Sequence, residues 1–209
     1  GTGAVFATKG NNTQGFWQYE AGNWTQRQDV PLGPTKKKVK GGTDLVWALK
    51  SGIGYPYLLK GYKNEFWRYH VTGDSWHQLR DAPIGAKEKW DKGSWLAYDG
   101  DHTIYAHKAK YHEFYPYDLD ADAWGPALTA MPIPGSAGTK KSKDGGCGAF
   151  LGTSIYALKG GGTQEFWRYS VGGTWAELET MPRGQSGKKV KAGADIVTVG
   201  AMNMLYALK

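Results

Sequence analysis

Thirteen lysines, gathered in four clusters at equivalent places along this 209-residue chain, are the side chains whose type and spacing most plainly offer chemistry. Lys36, Lys37, Lys38 and Lys40 form the first cluster; Lys87, Lys89 and Lys92 the second; Lys140, Lys141 and Lys143 the third; Lys188, Lys189 and Lys191 the fourth. They make up half of the 26 basic residues in a chain of formal net charge +7. Ammonium groups collected on one surface raise the local concentration of anions, so the chemistry on offer is electrostatic docking of a polyanion or an acidic glycan. A solvated, solubilising loop copied along with a duplicated unit is the plainer alternative.

Other reactive types are sparse. The five histidines, His70, His77, His102, His107 and His112, show no repeated metal-ligand spacing and form no zinc motif with cysteine. A G-x-S-x-G nucleophile elbow is missing, and no carboxylate pair stands out from turn and strand-end positions. The single cysteine, Cys147, sits in a short apolar run and is expected to be buried and inert. The expectation from these residues is therefore no catalytic group, no metal, no cofactor and no enzyme.

These side chains must be positioned by a repeat. The stretch Gln164-Glu165-Phe166-Trp167-Arg168-Tyr169, followed by Trp175 and Met181-Pro182, has copies at Phe16-Trp17-Gln18-Tyr19, Phe66-Trp67-Arg68-Tyr69 and Phe114-Tyr115-Pro116-Tyr117. Each copy is followed by its own tryptophan, Trp24, Trp76 or Trp124, and then by Pro31, Pro83 or Pro132, and the series recurs about every fifty residues, the length of a propeller blade or solenoid coil. Within one unit, residues 147–151, 155–159, 164–171 and 175–179 read as four short strands bounded by glycine, serine and threonine, as tight antiparallel turns require. Trp167 and Tyr169 point to one face of their strand and Phe166 and Arg168 to the other. Both faces are bulky, so the sheet is expected to pack between two others, with Trp17, Trp67 and Trp167 buried between blades.

The glycine pair Gly160-Gly161 after the second strand, together with Tyr169 and Trp175, resembles the kelch repeat, the type found in the propeller domain of galactose oxidase; Tyr69 with Trp76 and Tyr117 with Trp124 repeat it. Gly10-Asn11, Gly61-Tyr62 and Ala109-Lys110 depart from the double glycine. The resemblance covers essentially the whole chain. It implies an all-β propeller of four-stranded antiparallel blades, as one domain over residues 1–209, with repeats at about 1–42 (partial), 43–91, 92–145, 146–192 and 193–209 (partial). It also invites a copper site, but that family's cysteine, tyrosines and histidines have no counterparts among Cys147 and these histidines. A kelch-type ring without such a site implies a binding module.

Counting strands gives three, four, four, four and two. The second strand is present twice at the ends, as residues 4–9 and 204–209, so closure is awkward. A ring of five units closed by two incomplete blades is the first reading; a piece of a larger ring, or a subunit completed by a neighbour, are the others. The opening Gly1-Thr2-Gly3, with no methionine, fits a processed protein or a piece of a longer one. Ala4, Phe6, Leu205 and Tyr206 would form the seam, because open sheet edges recruit strands.

A second lysine set, Lys9, Lys60, Lys108, Lys159 and Lys209, ends the second strand of each unit. Glu65, Glu113 and Glu165 stand across the following turn, so cross-strand ion pairs worth about 0.2–1 kcal/mol are expected; Gly15 breaks the pattern opposite Lys9. The third unit breaks the repeat most often: Trp90 interrupts its lysine loop, His107 replaces Leu59, Leu158 and Leu208, and Tyr111-His112 precedes Glu113. These four residues could form a sugar-stacking patch, or be drift in a degenerate repeat.

No apolar run approaches the roughly 20 residues of a membrane helix. The sequence reading is thus an extracellular or secreted binding or scaffolding module that takes a protein, glycan or polyanion. Specific nucleic acid is not expected. The alternative is a subunit that self-associates through its terminal strands. The sequons Asn11-Asn12-Thr13 and Asn23-Trp24-Thr25 are the sequence feature pointing outside the cell.

Overall fold

The structure, a computed structural model, describes residues 3–209. Five antiparallel sheets follow one another along the chain. The first holds β1 (Val5–Thr8), β2 (Phe16–Glu20) and β3 (Asn23–Arg27). The second holds β4 (Asp44–Lys50), β5 (Ile53–Leu59), β6 (Phe66–His70) and β7 (Ser75–Gln78). The third is β8 (Trp95–Tyr98), β9 (Thr103–Lys108), β10 (Glu113–Asp118) and β11 (Ala123–Trp124). The fourth is β12 (Cys147–Leu151), β13 (Ser154–Leu158), β14 (Phe166–Ser170) and β15 (Trp175–Glu177). The last pairs β16 (Asp195–Val199) with β17 (Met204–Leu208) across a short 3-10 turn. The chain is all-β with propeller-type blades, as the repeat predicted.

The aromatic signature sets both register and packing. Tyr19 pairs with Trp24, Tyr69 with Trp76, Tyr117 with Trp124 and Tyr169 with Trp175, directly across the third and fourth strands, although the intervening turns differ in length. Alternation along β14 sends Trp167 and Tyr169 into the core shared with the third sheet, and Phe166 into the core on the opposite side. Three aromatic cores therefore alternate with the sheets, and a smaller one lies between the fourth and fifth. Trp67 and Trp167 are buried as expected, whereas Trp17 is only half-buried because no sheet among the described residues precedes the first.

Three of the five strand-end lysines, Lys60, Lys108 and Lys159, are more deeply placed than their hairpin spacing implied, whereas Lys9 is exposed and Lys209 half-buried. Both side chains of the Lys60–Glu65 pair have zero exposure at 2.8 Å, and so do those of Lys159–Glu165 at 2.6 Å; in Lys108–Glu113 only the lysine is fully enclosed. Each pair grips the loop arriving from the preceding sheet. Lys60 Nζ donates to the carbonyls of Pro31 (2.7 Å) and Leu32 (2.8 Å), while Glu65 accepts the Thr35 N–H at 2.8 Å. Lys108 repeats this with Ile84 and Lys87, and Glu113 with the Ala86 N–H. Gly33 makes the fit possible, since at its φ of +64° a Cβ would lie 2.7 Å from a Glu65 carboxylate oxygen. The expected cross-strand ion pairs are formed, and they also act as clamps between blades.

The two chain ends do not share a sheet: β1–β3 and β16–β17 remain separate. Of the anticipated seam residues, Phe6 packs inward against Phe16 (5.7 Å) and Trp47 (5.8 Å), Leu205 packs on the core of the fourth sheet, Ala4 is half-buried and Tyr206 is exposed. Phe6 is thus committed to its own blade junction and is not available as a free seam contact.

Candidate functional site

The four lysine clusters lie on the loops that lead from the outermost strand of one blade to the innermost strand of the next. Strand parity puts these loops and the turns between second and third strands at one end of the blades, and the remaining hairpin turns at the other. Each loop is pinned by one inward residue: Val39, Trp90, Ser142 or Val190, all buried. The pin is a main-chain bridge. Val39 donates to Thr13 and accepts from Asn12, Val190 donates to Thr163 and accepts from Gly162, and Trp90 bonds Lys63 and Tyr62 in the same way. In an extended segment the neighbours of an inward residue point outward. Lys38 and Lys40 around Val39, and Lys141 and Lys143 around Ser142, thus face solvent wholly or in part, as do Lys189 and Lys191 around Val190.

Among the described residues, Lys89 (3.2 Å from Asp91) and Lys92 (3.8 Å from Asp144) are the members of the thirteen paired with a carboxylate. Eleven ammonium groups on one end of the molecule have no acidic partner within 4.0 Å. Tyr62 lies beneath two of the loops, with Lys89 Nζ 3.9 Å and Lys40 Nζ 6.0 Å from its ring centre. At the other end, Asp99, Asp101, Asp120 and Asp122 occupy the hairpin turns of the third sheet. Of these, Asp122 is paired with Lys50 and Arg68, and Asp101 with His102.

Inside the lysine loops, the innermost strands enclose a cavity of about 390 Å³, which continues into a second of about 350 Å³. Asp44, Trp95, Cys147 and Asp195 hold the same position on β4, β8, β12 and β16, so all four line the upper cavity. Asp44 accepts the Leu96 N–H at 2.7 Å and thereby ties two innermost strands together. Burial, opposed by this bond and one from Leu45 and reinforced by the Asp195 charge, pushes the Asp44 carboxyl up to about 7. Burial and then the Asp195 and Asp44 charges push the Cys147 thiol up to about 12, so the thiol is protonated at neutral pH. No group of three or more His, Cys, Asp or Glu suited to a metal ion occurs among the described residues.

The anticipated patch of Trp90, His107, Tyr111 and His112 is not an open surface. Trp90 and His107 have zero exposure and His112 is buried; Tyr111 alone is half-exposed. Trp90 fills the core between the second and third sheets, near Tyr115 and Trp124. His107 stacks on Trp95 and meets Ser142 Oγ at 3.0 Å, while His112 Nε2 accepts the Ser142 N–H at 3.1 Å. Burial, then the neighbouring His112, lowers His107 to about 3; burial, then Lys159, lowers His112 to about 4, so both rings are neutral. These departures are compensations at the loop anchor. The anchor is Ser142, cradled by two histidines, in the third loop and Trp90 in the second, where the first and fourth use valine. Aligning Val39, Trp90, Ser142 and Val190 would have exposed this in the sequence.

No family model matches the chain, and no curated protein matches it. Solved structures do. A catalytically inactive H270A virginiamycin B lyase from Staphylococcus aureus with quinupristin superposes with a TM-score of 0.59 at 13% identity, covering 87% of this chain and 53% of that one. A streptogramin B lyase superposes with a TM-score of 0.58 at 14% identity, covering 99% and 58%. The chain spans little more than half the length of these proteins. They support the propeller fold and do not single out the kelch type. The expectation of no enzyme must be corrected, because the absence of familiar motifs was its ground and these lyases are enzymes built on this fold. What the comparisons establish for this chain is the β-propeller fold.

Proposed function

We propose that the chain is a binding module that docks an acidic glycan across its lysine-bearing end. The observation that carries this reading is the set of eleven lysines without carboxylate partners, held at one end by four loops whose anchors are buried. Pinned loops keep the charges gathered, and gathered charge supplies both attraction and a faster encounter with an anionic chain. Tyr62, already under two lysines, offers a flat apolar surface for a sugar ring. The exposed sequon asparagines Asn11 and Asn23 fit a setting outside the cell.

The test is retention on immobilised heparin against salt. Exposed charges more than about 8 Å apart are screened at physiological ionic strength, so binding should be strong at low salt and fall steeply as salt rises. Replacing Lys36, Lys37 and Lys38 with glutamine should lower the eluting salt. Lys50→Gln, at the opposite end of the blades, should not. Equal elution of wild type and triple variant would overturn the reading, and equal retention on a non-glycan polyanion would reduce it to charge alone.

A further inference from the structure

We propose that the third lysine loop is an acid-sensitive latch, in which protonation of His112 releases Ser142 and frees Lys140, Lys141 and Lys143 while the other three loops stay anchored. Release of the loop does not depend on what the lysines bind; its consequence for docking at that end rests on the function proposed above.

The four anchors are chemically unequal. Val39 donates its N–H to the Thr13 carbonyl at 2.9 Å, Trp90 to that of Lys63 at 3.3 Å and Val190 to that of Thr163 at 3.1 Å. A main-chain carbonyl does not titrate, so these three bonds are indifferent to pH. Ser142 donates instead to a side chain, His112 Nε2, at 3.1 Å. The partners of the ring fix its tautomer. Nδ1 lies 3.2 Å from the Met131 carbonyl and must carry the hydrogen, which leaves Nε2 as the acceptor. The atom that would take a proton is therefore the atom that holds the loop. Two N–H groups cannot face each other at this distance, so His112 is either neutral with the loop closed or charged with the loop open.

Little else holds the segment. Among the described residues, Ser142 is the one member of residues 139–142 that hydrogen-bonds to the rest of the molecule, its carbonyl accepting the Lys110 N–H at 2.9 Å and its hydroxyl meeting His107 Nε2 at 3.0 Å. His107 stays stacked on Trp95, and its Nδ1 is buried without a partner, so a proton there would be stranded. Lys159 from the fourth sheet and Lys141 on the loop repel a proton on His112, while Glu165, paired with Lys159 at 2.6 Å, attracts one. On the ring's own hairpin, His107 stands 6.0 Å away, and Lys108 and Glu113 pair with each other at 3.3 Å. Burial, then Lys159, holds His112 at about 4 with the loop closed, against about 6.5 in water. The closed loop binds fewer protons than the open one, so it loses ground as pH falls. Its opening constant should rise about tenfold per pH unit between these two values, about 300-fold in all.

The experiment is amide hydrogen exchange at Val39, Trp90, Ser142 and Val190 between about pH 7.5 and about pH 4.5, expressed as protection factors so that the intrinsic pH dependence of exchange is divided out. Ser142 protection should fall about a hundredfold between about pH 6.5 and about pH 4.5, and the other three should not follow it. In His112→Gln the separate slope of Ser142 should vanish. If that variant does not fold, the ring decides: in wild type near pH 5.5 its nitrogen shifts should be those of the neutral Nδ1–H tautomer. A Ser142 factor independent of pH, one that falls in parallel with the other three, a slope retained in His112→Gln, or a charged His112 ring while Ser142 stays protected would each overturn the proposal.

Discussion

Glu65→Gln should destabilise the protein far more than a surface ion pair allows. Lys60 and Glu65 are both fully enclosed, and the lysine also holds two carbonyls of the preceding loop. Removing one partner of a buried pair leaves an uncompensated charge and costs about 3–5 kcal/mol. For a chain of this size each kcal/mol lowers Tm by about 2–4 °C, so a drop of about 6–20 °C is expected. Lys60→Met should cost a similar amount by stranding the carboxylate. The double variant should recover much of the loss, because an apolar replacement of a buried pair is often close to neutral. Denaturant midpoints for the four proteins give the coupling energy, and hydrogen exchange at Thr35 reports whether the loop has been released, since its N–H bonds Glu65. Acid adds a second readout. Burial pushes the Glu65 carboxyl upward, but the hydrogen bonds from Lys60 and Thr35 and the lysine charge outweigh it and hold it below its ordinary value. Its contribution is therefore complete above the unfolded pKa near 4.3 and is lost as pH falls through the folded value; Glu65→Gln should abolish that part of the acid dependence. Single variants that each cost less than about 1 kcal/mol would refute the clamp and restore the surface pair.

Trp167→Ala should cost about 3–5 kcal/mol, whereas Trp17→Ala, on the half-covered first sheet, should cost distinctly less; equal Tm shifts would contradict the assignment of Trp167 to a closed junction. Asp44 reverses the usual carboxylate sign, because its folded pKa of about 7 lies above the unfolded value near 3.9. Stability should fall as pH rises between these values by at most about 4 kcal/mol, and Asp44→Asn, which keeps an acceptor for Leu96, should match wild type near pH 4 and exceed it at pH 8.

The periodic elements were legible in the sequence because a blade is written locally. Tyr–Trp pairing, glycine-bounded turns and two-residue alternation are all contained within one unit, and the strand count of three, four, four, four and two followed from them. The clamp was half legible. Hairpin spacing pairs Lys60 with Glu65, but the carbonyls of Pro31 and Leu32 lie 29 and 28 residues upstream in another blade, and no local rule connects them. The turn glycines Gly33 and Gly85 were the available signal, since both sit against a clamp carboxylate at positive φ. Trp90, His107 and His112 misled for a related reason. Rule-breaking positions often mark function, yet these are paired exchanges inside a core, where Ser142 meets the two histidines and Trp90 meets Tyr115 and Trp124.

The junctions between neighbouring sheets are not equivalent, and the difference bears on where the molecule opens first. The first three each combine a filled phenylalanine interlock with a lysine–glutamate clamp. Among the described residues the fourth shows the lysine alone, with neither a glutamate across a following turn nor an aromatic pair over Phe166. Opening free energy within a protein follows the contacts each unit makes, so β16–β17 should open well before the four-stranded sheets.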